Sequence, residues 1–156
     1  MDYPVSLTEV KATYLAAVGA TVTRQTLGAT IRQILAENKI YPFIKNAGLE
    51  KAGHNVFVYK TDRVRNPGNE FDIEIGVQVA GPFEGKGEVI CSATPEGRAA
   101  MTIHTGQYDR IGQAHTAVMT WARDQGIALT SLNWEIYGDW QEDPNLLTTE
   151  VFYLLN

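Results

Sequence analysis

The second half of this chain repeats the first. Gly48 falls on Gly126, Asn55 on Asn133, Tyr59 on Tyr137 and Asp72 on Glu150, each pair separated by 78 positions. Asn55-Val56-Phe57-Val58-Tyr59 thus lies over Asn133-Trp134-Glu135-Ile136-Tyr137. Upstream, Gly19 lies over Gly106, an offset of 87, which implies nine extra residues in the first helical region. Such self-similarity limits the fold to two copies of one supersecondary unit, because neither copy alone buries its apolar face. Each half reads as strand, helix, strand, strand. The fold class expected is α+β: two pseudo-symmetric βαββ repeats at about 1–80 and 87–156, with antiparallel sheets, helices on one face and a groove on the other. At 156 residues the chain suits a single domain.

The local signals fill in this plan. Lys11 to Val22 is rich in Thr, Val and Ala and suits a strand. From Leu27 the positions Ile31, Ile34, Leu35 and Ile44 keep helical spacing, with Thr26 as N-cap and Gly48 as C-terminal stop. Pro42 predicts a break near Tyr41. Asn55–Lys60 and Phe71–Ala80 read as strands joined by a turn at Asn66-Pro67-Gly68-Asn69. The Gly81–Gly87 segment lacks the G-x-G-x-x-G spacing and reads as a connector. Beyond it come a short strand at Val89–Cys91 and a longer one at Arg98–Thr105. A helix follows over Asp109–Gln125, with Ile111, His115, Val118, Met119 and Ala122 on one stripe and Gly126 at its end. Leu132–Tyr137 and Thr148–Leu155 close the chain as strands.

Strand parity divides the central residues into two sets. Val56, Val58, Trp134 and Ile136 are uniformly apolar, as expected for side chains packed under the helices. Phe57, Tyr59, Glu135 and Tyr137 share the other parity, on a face expected to be free of helices. Three aromatics and one acid there make a patch where two like halves would form a groove. Glu135 is then either the charge of a pocket or an acid facing solvent. Its partner in the first half is Phe57, so the acid breaks the near-symmetry.

Composition excludes several function classes. Cys91 is the single cysteine, so no internal disulfide and no cysteine metal cage can form within one chain. His54, His104 and His115 are far apart, and H-E-x-x-H, G-x-S-x-G and phosphate-loop patterns are absent. No cofactor and no metal are expected. The net charge of −5 is uneven: residues 1–78 carry 9 basic and 8 acidic groups, residues 79–156 carry 4 and 10. An acidic second half repels phosphate backbones, so direct nucleic-acid binding is not expected, and it favours cations. No apolar run approaches a membrane span, and the N-terminus lacks the pattern of a secretory signal, so a cytoplasmic location is expected.

Gly106-x-Tyr108-x-x-Ile111, a helix with Trp121, Trp134-Glu135-Ile136-Tyr137, Asp143-Pro144 and Thr149-Glu150-Val151 together resemble GyrI-like small-molecule-binding domains. This module also serves as the effector-binding part of AraC-type and multidrug-sensing transcription regulators. The resemblance is strongest from Ala99 onward, and the doubled βαββ plan extends it over the first half. It implies a pseudo-twofold domain that takes lipophilic, often cationic molecules between aromatic side chains. By the resemblance, Glu135 matches the family's buried acid and Tyr108 the aromatic of its G-x-Y motif. Tyr137 lies two residues past the acid, and Phe152 falls where another aromatic is common. Phe57 and Tyr59 complete the expected ligand-binding set. The regulators add a DNA-binding domain for which this chain leaves no residues, so a stand-alone member is expected.

Three functions follow as expectations. The first is capture of lipophilic, cationic or aromatic xenobiotics by Glu135 within aromatic walls. The second is hydrolysis of strained electrophiles such as cyclopropanoid toxins, with Glu135 as general base, Tyr137 beside it and His104 as an accessory. In the third, a gyrase-inhibitor-like module meets a protein partner through Asp139, Glu142 and Asp143.

Overall fold

A computed structural model describes residues 3–61 and 68–156, and of residues 36–38 the backbone only. Eight strands form one antiparallel sheet in the order β1-β6-β8-β7-β3-β4-β2-β5. They are β1 (Ser6–Val10), β2 (Tyr14–Val22), β3 (Lys51–Tyr59), β4 (Phe71–Val79), β5 (Ile90–Ala93), β6 (Gly97–Thr105), β7 (Leu129–Tyr137) and β8 (Thr148–Leu155). The helices are α1 (Arg24–Arg32), α2 (Ile40–Ala47) and α3 (Ile111–Gln125).

The α+β class and the paired βαββ repeats are both present. β3 and β7 are displaced by 78 at both ends. The register slips between Lys51 and Asn55 in one and between Leu129 and Asn133 in the other, so the irregularity is duplicated too. Gly48 and Gly126 end α2 and α3 with φ of 67° and 69°, left-handed values that glycine adopts without a Cβ clash. The other offsets are corrected: with Val56 on Trp134, the ladders set Gly76 on Phe152 and Ala17 on Met101, so β4 and β8 are displaced by 76, which puts Asp72 on Thr148 rather than Glu150, and β2 and β6 are displaced by 84. The first helical region therefore carries six extra residues, not nine.

Those residues make the first helical region irregular. α1 starts one turn earlier than expected, with Thr23 as N-cap. The Thr23 hydroxyl accepts from the Thr26 amide at 3.3 Å and the Thr26 hydroxyl from the Thr23 amide at 2.9 Å, so Thr26 is the third helical residue of a reciprocal capping box. A π-helical turn at Gln33–Asn38 follows. The break comes at Lys39, which leaves Pro42 in the first turn of α2, where its missing N–H costs no helical bond. Asn66 and Pro67 of the expected turn lie outside the described residues; Gly68 and Asn69 form a bend.

The sheet closes on itself. In the β1–β6 and β2–β5 ladders alike, paired residue numbers add to 107, as for Ser6 with Met101 and Tyr14 with Ala93. Between the two ladders the Thr94 amide donates to the Thr13 carbonyl at 2.9 Å. The inner face buries Leu15, Ala17, Val56, Val58, Ala99, Trp134 and Phe152 in one cluster. Trp134 and Phe152 stack there, ring centroids 5.1 Å apart and planes 5° from parallel.

The helices lie on the other face, which corrects the sequence expectation. Ile40 and Ile44 of α2 pack in a cluster with Val18, Phe57, Ile73 and Ile75. Ile111, Ala114 and Val118 of α3 pack with Ala100, Val151 and Tyr153. Val56, Val58 and Trp134 are uniformly apolar because they fill the interior of the closed sheet, not because a helix covers them. Phe57, Tyr59, Glu135 and Tyr137 share the helix-bearing face rather than a face free of helices. Met119 is 48% exposed and leaves the buried stripe of α3, which runs through Ile111, Ala114, Val118 and Ala122.

Candidate functional site

β3 and β7 are the seam between the halves, and Phe57 pairs directly with Glu135 across it. These two residues are also repeat counterparts, 78 apart. A residue can oppose its own counterpart only beside the pseudo-twofold axis, so Phe57 and Glu135 flank that axis. Tyr137 touches both helical clusters, as expected of a side chain on the seam.

Glu135 is 4% exposed. A buried carboxylate is stable only with compensating donors or a cation. Its Oε1 accepts from the Tyr137 hydroxyl at 2.7 Å and the Tyr59 hydroxyl at 3.1 Å. Those tyrosines are repeat counterparts, so the duplicated fold supplies a symmetric clamp for one asymmetric acid. Oε2 lies 2.6 Å from Nε2 of His115, which reaches down from α3. The other ring nitrogen, Nδ1, is 2.7 Å from the Tyr153 hydroxyl. A carboxylate offers about four lone-pair positions. Two on Oε1 and one on Oε2 are thus occupied.

Aromatic rings surround this centre. Phe57 and Tyr137 have centroids 4.7 Å apart, and the edge of Tyr108 meets Tyr137 at 5.1 Å. Tyr59 meets the His115 ring edge-on at 6.3 Å. Tyr108 is 41% exposed and forms the outer member of the group. Burial, then the charge of Glu135, then neighbouring Tyr59, hold the Tyr137 phenol well above its ordinary value. Burial and the same charge raise Tyr153. Both phenols therefore remain protonated donors rather than phenolate nucleophiles through the neutral range.

Of the ligand-binding set expected from sequence, Glu135, Tyr137, Tyr59, Phe57 and Tyr108 come together. Phe152 does not: its parity turns it to the interior of the closed sheet, against Trp134. Its neighbour Tyr153 faces the site. Strand parity carries that signal, since the ladders match Tyr153 with Val77, which also lies on the helix-bearing face. His115, on the expected stripe of α3, also belongs to the site; a basic residue at a helix position facing an aromatic and acidic strand pair is the clue. His104 is fully buried between the Tyr3 hydroxyl and the Gln107 carbonyl, 2.8 Å from each, and has no contact with Glu135. Asp139, Glu142 and Asp143 are exposed. Asp139 pairs with His54 at 2.8 Å and Asp143 caps a short turn through the Asn145 amide at 3.0 Å. Among the described residues no cluster of metal-ligating side chains occurs, and no helix is long and apolar enough to cross a membrane.

Comparison with known structures agrees with this architecture. The C-terminal domain of EcmrR superposes with a TM-score of 0.78 at 22% identity, covering 100% of this chain and 99% of that one. SAV2435 bound to tetraphenylphosphonium gives 0.69 at 11% identity, over 100% and 94% of the two chains. A hydrolase encoded by lin2189 from Listeria innocua gives 0.58 at 11% identity, over 97% and 91%. No curated protein matches the sequence. The family model of the GyrI-like small molecule binding domain matches residues 3–154, nearly the whole chain, and the protein belongs to that family.

Proposed function

We propose that this domain captures lipophilic cations, with Glu135 as the charge that selects them and Phe57, Tyr59, Tyr108 and Tyr137 as the walls that hold them, in xenobiotic tolerance or sensing. The observation that carries this reading is a carboxylate 4% exposed, ringed by aromatics on the seam of two repeats. A cation brought to the carboxylate offsets the desolvation of the acid. Aromatic faces add cation–π attraction of about 0.5–2 kcal/mol each without requiring one ligand shape. Burial of the ligand's apolar surface adds roughly 25 cal/mol per Å². The tetraphenylphosphonium held by SAV2435 is a ligand of this chemistry on the same fold. Fluorescence titration of rhodamine- or ethidium-like dyes against wild type and Glu135→Gln tests the role of the acid: the wild type binds more tightly, and equal affinities would remove Glu135 from the account.

A second reading is favoured by one contact, the 2.6 Å approach of His115 to Glu135. An acid and an imidazole so placed can take a proton from water and return it to a leaving group. The Listeria innocua hydrolase shares the fold. Incubation with an electrophilic cyclopropane and mass spectrometry of the products discriminates: turnover above the Glu135→Gln control supports hydrolysis, and none rejects it. Capture ranks first because three donors already hold the carboxylate, which makes it a weaker base.

A further inference from the structure

His115 is the remaining group at the centre of the site. Both of its ring nitrogens are engaged, Nε2 on Glu135 at 2.6 Å and Nδ1 on the Tyr153 hydroxyl at 2.7 Å. The ring also meets Tyr153 edge-on at 5.5 Å and Tyr59 at 6.3 Å. This geometry accommodates two protonation states without movement. In the neutral ring, Nε2–H donates to the carboxylate and Nδ1 accepts from Tyr153. In the protonated ring both nitrogens donate, and the phenol oxygen of Tyr153 accepts.

The two states differ in what they leave for a ligand. With His115 neutral, Glu135 keeps a charge that, among the described residues, hydrogen bonds oppose. With His115 protonated, the opposite charge is already in place 2.6 Å away, and a ligand cation would add an unmatched positive charge to a buried site. The other titratable groups facing the pair, among the described residues, are phenols: Tyr59 from β3, Tyr137 from β7 and Tyr153 from β8, with Tyr108 beyond Tyr137. Burial raises Tyr108, Tyr137 and Tyr153, so these three keep their protons while an imidazole titrates.

Resting on the cation-binding reading above, we propose that a proton on His115 and a lipophilic cation compete for Glu135, so that the site takes up fixed-charge cations in exchange for one proton and releases them on acidification. The proton passes from the imidazolium to solvent. Affinity for a fixed-charge cation rises with pH while His115 is being deprotonated, by up to about tenfold per pH unit, and then levels off. Affinity for a neutral aromatic ligand does not change over the same range.

Calorimetric titration of tetraphenylphosphonium into the whole chain tests this, in two buffers of different ionisation enthalpy, over roughly pH 5 to 8 where imidazoles titrate. The expected result is release of close to one proton per cation bound at the acidic end, falling to none at the alkaline end. His115→Gln should bind the cation with pH-independent affinity and no proton release. Wild-type binding with flat pH dependence overturns the exchange while leaving cation capture intact. The same proton release from His115→Gln also overturns it. Absence of cation binding at every pH overturns both. If His115→Gln fails to fold, NMR of the wild-type imidazoles decides: the His115 signals should lose their charged form when the cation saturates the site, and retention of that form refutes the exchange.

Discussion

Phe152 distinguishes a site on the helix-bearing face from one inside the closed sheet. It is 6% exposed and stacked on Trp134 at 5.1 Å, in a cluster drawn from β2, β3, β6, β7 and β8. Truncation to alanine removes a buried phenyl ring and leaves a cavity that a closed sheet collapses into poorly. The cost expected is about 3–5 kcal/mol, of which about 0.5–1.5 kcal/mol is the lost stacking on Trp134. With a urea slope near 2 kcal/mol per M, the unfolding midpoint of Phe152→Ala should fall by about 1.5–2.5 M. Phe152→Leu keeps most of the volume and should cost less than about 1.5 kcal/mol, which leaves a folded protein for binding measurements. Its affinity for a lipophilic cation should equal that of the wild type, because the ring lies on the far side of β8 from Glu135. A loss below about 1 kcal/mol for Phe152→Ala, together with weakened cation binding by Phe152→Leu, would refute the assignment of faces.

Two further predictions concern the site and the repeat. Tyr137 and Tyr153 both have raised phenol values in the folded state, so the unfolded chain releases these protons first. The stability they confer is complete below about pH 10, the unfolded phenol value, and is lost as pH rises from there through the folded values, at up to about 1.4 kcal/mol per pH unit for each residue. Chemical denaturation at rising pH should show this slope, reduced in Tyr137→Phe and in Tyr153→Phe; an unchanged slope in both contradicts the cause assigned. Gly48 and Gly126 end equivalent helices at φ of 67° and 69° with open space where a Cβ would stand. Gly48→Ala and Gly126→Ala should therefore each cost about 1 kcal/mol, or about 2–4 °C in Tm. Unequal losses would argue against equivalent caps.

The repeat was legible because it is written in residues whose identity is structural: Gly48 and Gly126 at left-handed helix ends, and Tyr59 and Tyr137 at the seam. The faces were not. Strand parity separates Val56 from Phe57, but a closed sheet buries both of its sides, and no local signal tells an apolar side chain under a helix from one inside the barrel. The same ambiguity displaced Phe152 into the expected site, whereas Tyr153 was one residue away on the correct face. The role of His115 is not legible in sequence because its partner is on another element, and a helical stripe states which side is buried without stating what it meets. The register that sets Phe57 opposite Glu135 depends on the pairing of β3 with β7, a contact between residues 78 apart in the chain.

The central claim is that the charge of Glu135 selects cations, and two ions of one shape test it most directly. Tetraphenylphosphonium and tetraphenylborate differ chiefly in the sign of their charge. At about 5 Å and an effective dielectric constant of about 20, a single carboxylate contributes about 3 kcal/mol of attraction to one and the same repulsion to the other. The affinity of the wild type for the cation should exceed that for the anion by at least about 100-fold, and Glu135→Gln should remove most of that ratio. Equal wild-type affinities for the two ions, or an undiminished preference in Glu135→Gln, would contradict the account.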